Sequence, residues 1–382
     1  MRFQLLFQKI RNHGLKYAFY VILNNLIISR VFYLFHKHIK TPEIIYPVPS
    51  EVNKVVRSTV DSAYAKKIIL NHKIPTASSI LNDVTLTGFW AIPYLRDGGV
   101  IVQHYSRSRT LDLMSRGAMF RLEFVLLSLL RREKNLNGIE FATSFVCQPN
   151  RYGHWLTEHL IKLKTVFERY ESGKSFPKIV VRKNPPHWMI DSLTLAGVPE
   201  SDIIQFNHSI MPVNRYLHIY PADVTHNVNL RFNPMAYRWL RRRYYNELNI
   251  SPESKTRIYL SKQSRPNKYV KNFTEIEPIL EKFDFQIIEP EKKDFETVVC
   301  KLSEAEIVVG PQGSNMHNII FASDAKILDL KPGDRDVLVS KRLAKSVNCD
   351  YHDLIGGKSC TLNNSFYINP GSLESKLNKL LD

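Results

Sequence analysis

The sequence predicts an α/β protein made of two Rossmann-like domains that face a cleft. Three observations carry that expectation. Short apolar runs alternate with stretches of 3.6-residue periodicity, at a spacing that makes βαβ units on parallel sheets. The chain has 382 residues, more than a single core of ordinary size uses. A basic stretch near the middle, "NPMAYRWLRRRYYNELNI" (233–250), reads as one helix that stops at Ser251-Pro252 and links two halves.

In the first half, strands are expected at "GGVIVQHY" (98–105) and "GIEFATSFV" (138–146), with the helix "LEFVLLSLLRR" between them. "GHWLTEHLIKLKTVFERY" (153–170) has apolar residues at 156, 160, 163, 166 and 167, which is helical spacing. "PKIVVRK" is the next strand. "PHWMIDSLTLAGV" is a helix ended by Gly197, and "DIIQF" and "RYLHIY" are further strands. In the second half the strands are "TRIYLS", "DFQIIEP", "EIVVG" and "AKILDLKP". The helices between them are "NFTEIEPILEKF", with Asn or Thr as cap, "DFETVVCKLSEA", with Asp294 as cap, and "NMHNIIFAS". "CDYHDLIGG" reads as a loop, and "GSLESKLNKLL" as a terminal helix that packs back on the first domain.

The apolar fraction of 44% excludes a disordered chain. A formal charge of +17 points to an anionic partner: nucleic acid, a phosphorylated ligand or an anionic membrane surface. No helix-turn-helix, zinc-finger or RNP-like pattern accompanies it, so nucleic acid is not the expected partner. Cys147, Cys300, Cys349 and Cys360 are scattered without a C-x-x-C pair, and Cys147 and Cys300 read as core thiols. "YAFYVILNNLIIS" (17–29) is too short to span a bilayer and has no small-residue cleavage site. With its basic flanks it reads either as an interfacial helix on an anionic leaflet or as a first core helix. Either reading keeps the protein cytoplasmic, peripheral at most. Arg238, Arg241, Arg242 and Arg243 could meet phosphate or lipid, or form a solvated helix face.

The functional signal starts at "VVGPQGSNMHNII" (308–320), an apolar strand, a tight loop, then a periodic stretch. Gly310 and Gly313 permit a tight turn and close approach of a ligand. A helix beginning near Ser314 or Asn315 aims free N–H groups at the loop, which suits a diphosphate. The spacing is neither that of a P-loop nor that of a dinucleotide fingerprint. In "RIYLSKQSRPNKYVKN" a strand runs directly into a loop carrying Lys262, Arg265, Lys268 and Lys271. On a parallel sheet that loop emerges at the same edge. Its cations could stabilise a departing diphosphate without a metal.

These stretches, with "RYGHWLTEHLIKL" upstream, resemble glycosyltransferase family 61 over roughly residues 90–335. That family includes bacterial capsule-type, plant xylan and animal EGF-domain O-GlcNAc transferases. The resemblance implies a GT-B-like fold and an inverting mechanism. Its donor would be a nucleotide-sugar and its acceptor a glycan or lipid-linked glycan, in surface polysaccharide synthesis. No cofactor is implied. With the helical link at 233–250 the chain is expected to divide into an N-terminal basic and apolar segment (1–45), an acceptor-side Rossmann-like domain (46–232), a nucleotide-sugar donor-binding Rossmann-like domain (233–340) and a C-terminal extension (341–382). The family's loop reads Gly-x-His-Gly-Ala-Gly-Leu-x-Asn. Here Gly310, Gly313 and Asn318 match, Gln312 stands at the His, Ser314 and Asn315 replace Ala and Gly, and Met316 replaces Leu. Lys262 stands where Arg usually follows "YLS", keeping the charge without the bidentate fork. Asp329 occupies the place of a family Glu and would contact ribose or the base-side backbone.

The catalytic candidates are His154 and Glu158, which share a helical face. An inverting transfer needs one base for the acceptor hydroxyl, and a histidine beside a carboxylate suits it. Either residue could be that base, with Glu158 otherwise orienting His154. The alternative is a histidine satisfied at a helix start, with Glu158 paired to Lys162. Tyr152 and Trp155 would contact acceptor sugar, Trp155 as a stacking wall or simply as core. H-x-x-x-E-H fits neither zinc-helix pattern, no G-x-S-x-G is present, and the D-x-D at Asp334–Asp336 lies in a loop. No metal site is expected. A non-catalytic nucleotide-sugar or glycan binder is the rival reading, favoured by Gln312.

Overall fold

The computed structural model describes residues 78–87, 91–94, 138–146, 152–170, 175–207, 211–219, 234–251, 256–264, 267–334 and 338–381. The segment 1–45, Cys147, the strand at 98–105 and the helix at 122–132 lie outside the described residues. Among the described residues no helix is long and apolar enough to cross a membrane.

The fold is mixed α/β with two parallel-rich sheets. The first has six strands, β1 (Ser78–Thr87), β2 (Ile92–Tyr94), β3 (Ile139–Ser144), β4 (Lys178–Arg182), β5 (Ile203–Phe206) and β6 (Met211–Ile219), in the order β2-β1-β6-β3-β4-β5. β6, β3, β4 and β5 are mutually parallel. β1, which the apolar pattern did not disclose, runs antiparallel along β6 from Ser78↔Ile219 to Leu86↔Met211.

The second sheet is wholly parallel, with β7 (Thr256–Leu260), β8 (Phe285–Ile288), β9 (Ala305–Pro311), β10 (Lys326–Lys331) and β11 (Asp350–Ile355) in the order β11-β10-β9-β7-β8. This is the doubly wound 2-1-3-4-5 arrangement, and the order reverses between β7 and β9. The segment after 340, expected as an extension docking on the first half, completes this sheet instead. β11 pairs along the whole of β10, and a terminal helix packs with the α4 side described below. β11 was read as a loop because it is an edge strand with no fully buried side chain, so no apolar run marks it in the sequence.

The helices are α1 (Leu163–Tyr170), α2 (His187–Leu195), α3 (Pro234–Glu247), α4 (Phe273–Lys282), α5 (Phe295–Ser303), α6 (Val339–Ser346) and α7 (Pro370–Leu381). Gly197 ends α2 as expected, at φ 89°, with Val198 N–H returning to Leu193 O. Asp294 caps α5 by accepting from Thr297 N–H. Asn272 precedes α4, but its side chain clamps both backbone groups of Ile368 and so ties the C-terminal segment down.

Strand alternation sorts side chains onto two faces. Tyr259, Ile307, Val309, Leu328 and Leu330 pack with α4 and α7. Ile258, Leu260, Val308 and Ile327 face the other way, toward α5 and α6. That second face joins a cluster that also contains Phe141, Ile179, Val181 and Leu217 of the first sheet. The two sheets therefore share one core. α3 is its post. Tyr244 and Tyr237 donate to Ser192 O and Thr157 O on the first side, and Tyr245 donates to Phe321 O on the second. Two of its four arginines serve the same purpose. Arg241 donates to Ala322 O and Val347 O, while Arg243 donates to Ala196 O and lies over the Phe167 ring.

Candidate active site

In a doubly wound sheet a ligand finds room beyond the strand ends where the order reverses. Here those ends belong to β7 and β9. β7 continues into Ser261 and buried Lys262, and β9 continues into Gln312 and Gly313. The two come together as the parallel register requires. Asn315 Nδ2 donates to Ser261 O at 2.6 Å, and a Cβ on Gly313 would stand 2.9 Å from Lys262 Nζ. A side chain at Gly313 would crowd the Lys262 ammonium, and the backbone there, at φ 158°, is one that side-chain-bearing residues rarely adopt. Gly310 is needed for packing: a Cβ there would meet Met316 Sδ at 2.8 Å and Leu260 O at 3.0 Å. Gln312 N–H is tied to Leu330 O.

The stretch after the loop, expected as an α-helix, is a 3₁₀ helix from Ser314 to Phe321. Asn318 Nδ2 donates to Asn315 O, which draws that carbonyl away from an α-type ladder. Asn315 Oδ1 is buried and finds no hydrogen-bond partner among the described residues, a condition that calls for a donor from elsewhere.

His154 and Glu158 sit at the start of the helical run that follows β3. This run opens with an α turn (Tyr152–His154), widens to a π turn (Trp155–His159), tightens to 3₁₀ (Leu160–Lys162) and continues as α1. The widening has a local cause. Gly153 O accepts from Thr157 Oγ1 at 2.8 Å and bonds His317 Nδ1 at 2.9 Å, so it is drawn out of the regular ladder. His154 Nδ1 meets Glu158 Oε1 at 2.6 Å, with side-chain exposures of 38% and 14%. The carboxylate only accepts, so Nδ1 carries a proton, and in the neutral imidazole the lone pair lies on Nε2. Lys162, the other partner considered for Glu158, turns its ammonium to Ser144 O and the Phe145 ring.

His317 was not singled out from the sequence, and it joins the two halves of the site. Its Nδ1 donates to Gly153 O, since a carbonyl cannot donate. Burial pushes its pKa down to about 4, with the Lys262 ammonium adding to it, against the raising influence of Gly153 O and Glu158. The ring is neutral at physiological pH and feels both the helix pair and the loop lysine. The one sequence signal was a titratable residue just before Asn318 in the stretch that follows the Gly313 loop. Asn318 reinforces the join, its Oδ1 accepting from Tyr152 OH at 2.6 Å.

Other expected site residues lie elsewhere in role or place. Tyr152 and Trp155, expected to face acceptor sugar, are fully buried. Trp155 Nε1 donates to Ser192 Oγ, and burial pushes the Tyr152 phenol well above its usual range. Both are aromatic core at a helix start, where satisfied polar tips let rings pack inward. Asp329 is buried in mid-β10 and accepts from Tyr351 OH at 3.1 Å. Ser314 heads the 3₁₀ helix, half-buried at the loop. Arg265 and two residues of the D-x-D triplet lie outside the described residues; Asp334 accepts from Ser359 N–H and Oγ–H. Among the described residues no three His, Cys, Asp or Glu side chains assemble as a metal site.

Asp329 makes a prediction of its own. Burial raises its carboxyl from 3.8 to about 7, although Ser340, Tyr351 and Lys331 pull the other way. The fold therefore favours its protonated form. This stability is complete below about pH 4 and is lost as pH rises toward and through 7. Asp329→Asn should remove that loss, on the order of 2 kcal/mol between pH 5 and pH 8. Chemical denaturation of both proteins across that window measures it, and an unchanged slope in the variant would refute it.

The sequence model of the family described as Glycosyltransferase 61 matches residues 152–328. The match starts at the Tyr152 turn and ends in β10, so it takes in both elements that converge on His317. No curated protein matches the chain.

Proposed function

The chain belongs to glycosyltransferase family 61 and is a glycosyltransferase, and from that premise we propose that it is an inverting enzyme. On this reading it moves a sugar from a nucleotide-sugar to a glycan or lipid-linked glycan, in surface polysaccharide synthesis. The single observation that carries the reading is the convergence of Lys262 and the Gly313 loop with the His154–Glu158 pair, through His317. The two sheets act as a GT-B-like pair, the first on the acceptor side and the second, extended to the chain end by β11 and α7, on the donor side.

The chemistry follows in one displacement. His154 Nε2 takes the acceptor hydroxyl proton as that oxygen attacks the anomeric carbon. The bond from that carbon to the diphosphate oxygen breaks, and the nucleoside diphosphate leaves with the electron pair. Glu158 holds the imidazole's tautomer and stabilises the imidazolium formed. Lys262, with Gln312 and the first N–H groups of the 3₁₀ helix, meets the charge that grows on the diphosphate. Asn315 Oδ1 accepts a donor group of the nucleotide. The protein works at the cytoplasmic face, with the basic segment 1–45 touching an anionic leaflet.

A thermal-shift panel of nucleoside diphosphates and sugar nucleotides, with and without Mg²⁺ or Mn²⁺, tests the donor site. One nucleotide class should stabilise the protein, by about 2.7 kcal/mol at a hundredfold excess over Kd. Lys262→Ala should abolish the shift. No shift with any nucleotide would sink the donor-site reading.

A further inference from the structure

Every strand of the second sheet is parallel, so the loops after β7, β9, β10 and β11 leave at one edge, the edge of the candidate donor site. That edge carries an unusual surface. Among the described residues the three most exposed large apolar side chains are Leu362 at 84%, Ile355 at 68% and Tyr367 at 55%. Ile355 is the last residue of β11, and the other two lie in the segment that follows it.

Their exposure is built in. Val270 bridges Phe366, and Phe366 and Ile368 are buried in the α4–α7 core, so alternation forces Tyr367 outward. Gly357 N–H donates to Tyr367 O, which brings the chain after Ile355 alongside Tyr367. A Cβ on Gly356 would stand 2.2 Å from that same oxygen, so only glycine permits the approach. Leu362 tops a pinned turn. Cys360 N–H bonds Ser365 O, Asn364 N–H bonds Cys360 O, and Asn363 Oδ1 accepts from both Ser365 N–H and Oγ–H. Lys268 N–H anchors the turn to the neighbouring loop through Asn363 O.

Charge says what would cover these tips. Lys268, Lys271 and Lys358 are exposed around them, and Lys271 Nζ lies 5.2 Å from the centre of the Tyr367 ring. Residues 262–271 and 356–367 include Lys262, Arg265, Lys268, Lys271 and Lys358 and no carboxylate. The carboxylates of Asp334 and Glu289 bond to these stretches from outside them, and both are engaged: Asp334 by Ser359, and Glu289 by Ser264 and Lys292. Aliphatic tips, a tyrosine at their side and lysines around them match the boundary between acyl chains and anionic headgroups.

We propose that the Ile355–Leu362–Tyr367 rim docks the protein on an anionic phospholipid surface and holds the donor-site edge against it. The benefit to catalysis rests on the proposed lipid-linked acceptor; the docking itself does not. The full chain should float with vesicles of phosphatidylcholine and phosphatidylglycerol, less with phosphatidylcholine alone, and less as salt rises. The double variant Leu362→Asp/Tyr367→Ser should weaken that partitioning about tenfold with an unchanged melting temperature. Lys271→Glu/Lys358→Glu should reduce the preference for the anionic vesicles, the basic segment 1–45 supplying what remains. Partitioning unchanged in the first variant would overturn the proposal. So would failure of the wild type to bind vesicles, or a change in oligomeric state in place of vesicle binding, which would make the rim a contact between copies. No donor or acceptor is needed, so a negative result leaves the donor-site reading standing.

Discussion

His154→Ala is expected to lower turnover by about 10²–10⁴-fold, the range of a lost general base. The expectation rests on the 2.6 Å contact between His154 Nδ1 and Glu158 Oε1, which leaves Nε2 free to accept a proton. The side chain is part-exposed, so its removal leaves no cavity, and the melting temperature should hardly move. Donor binding, read by thermal shift, should survive, because Lys262 and the Gly313 loop are untouched. Glu158→Gln should cost less than the histidine change, since an amide can still accept from Nδ1–H but cannot stabilise the imidazolium. Steady-state turnover with the donor identified above measures both. Near-wild-type activity in His154→Ala would remove it as the base. A larger loss in Glu158→Gln than in His154→Ala would move that role to the carboxylate.

Gly153→Ala is expected to be nearly as severe, for a steric reason. The added methyl would stand 2.5 Å from His317 Nδ1 and 2.8 Å from its Cε1. The imidazole is packed and bonded to the carbonyl of that same glycine, so it cannot simply swing aside. Either the Gly313 loop or the helix start must shift, and a displacement of about 1 Å in a catalytic site costs on the order of 10² in rate. Stability should fall by about 1–3 kcal/mol, as for overpacking. The double variant Gly153→Ala/His317→Ala relieves the clash and should recover most of that stability, a coupling that a mutant cycle reads directly. Strictly additive effects of the two changes would show that the helix start and the loop are not joined through His317.

Both variants act where the two halves of the chain meet, and that meeting was only partly legible in the sequence. The alternation of apolar runs and helical periods announced the parallel second sheet, because each crossover helix must bury one face against it. It announced the edge shared by Lys262 and the Gly313 loop for the same reason, since parallel strands end together. The His154–Glu158 pair was legible as an i, i+4 spacing. β1 was not: its value as a strand comes from pairing with β6, more than a hundred residues away. Tyr152 and Trp155 were misread because an aromatic at a helix start looks the same in sequence whether it lines a site or fills the core. Partners distant in sequence, Asn318 and Ser192, hold their polar tips inside.

By itself, then, the sequence determined the α/β class, the order of most elements and the likeness to the glycosyltransferase 61 family model. Those properties are local, written in periodicity, capping and short motifs. Tertiary structure alone decided which of the residues meet. It turned Gly153 and Gly313 into spaces for His317 and Lys262, and it assigned Gly310 to packing. It made the C-terminal segment part of the second sheet, and it left the tips beside β11 exposed. Each of these depends on distances across the shared core, and no periodicity along the chain encodes a distance between residues so far apart.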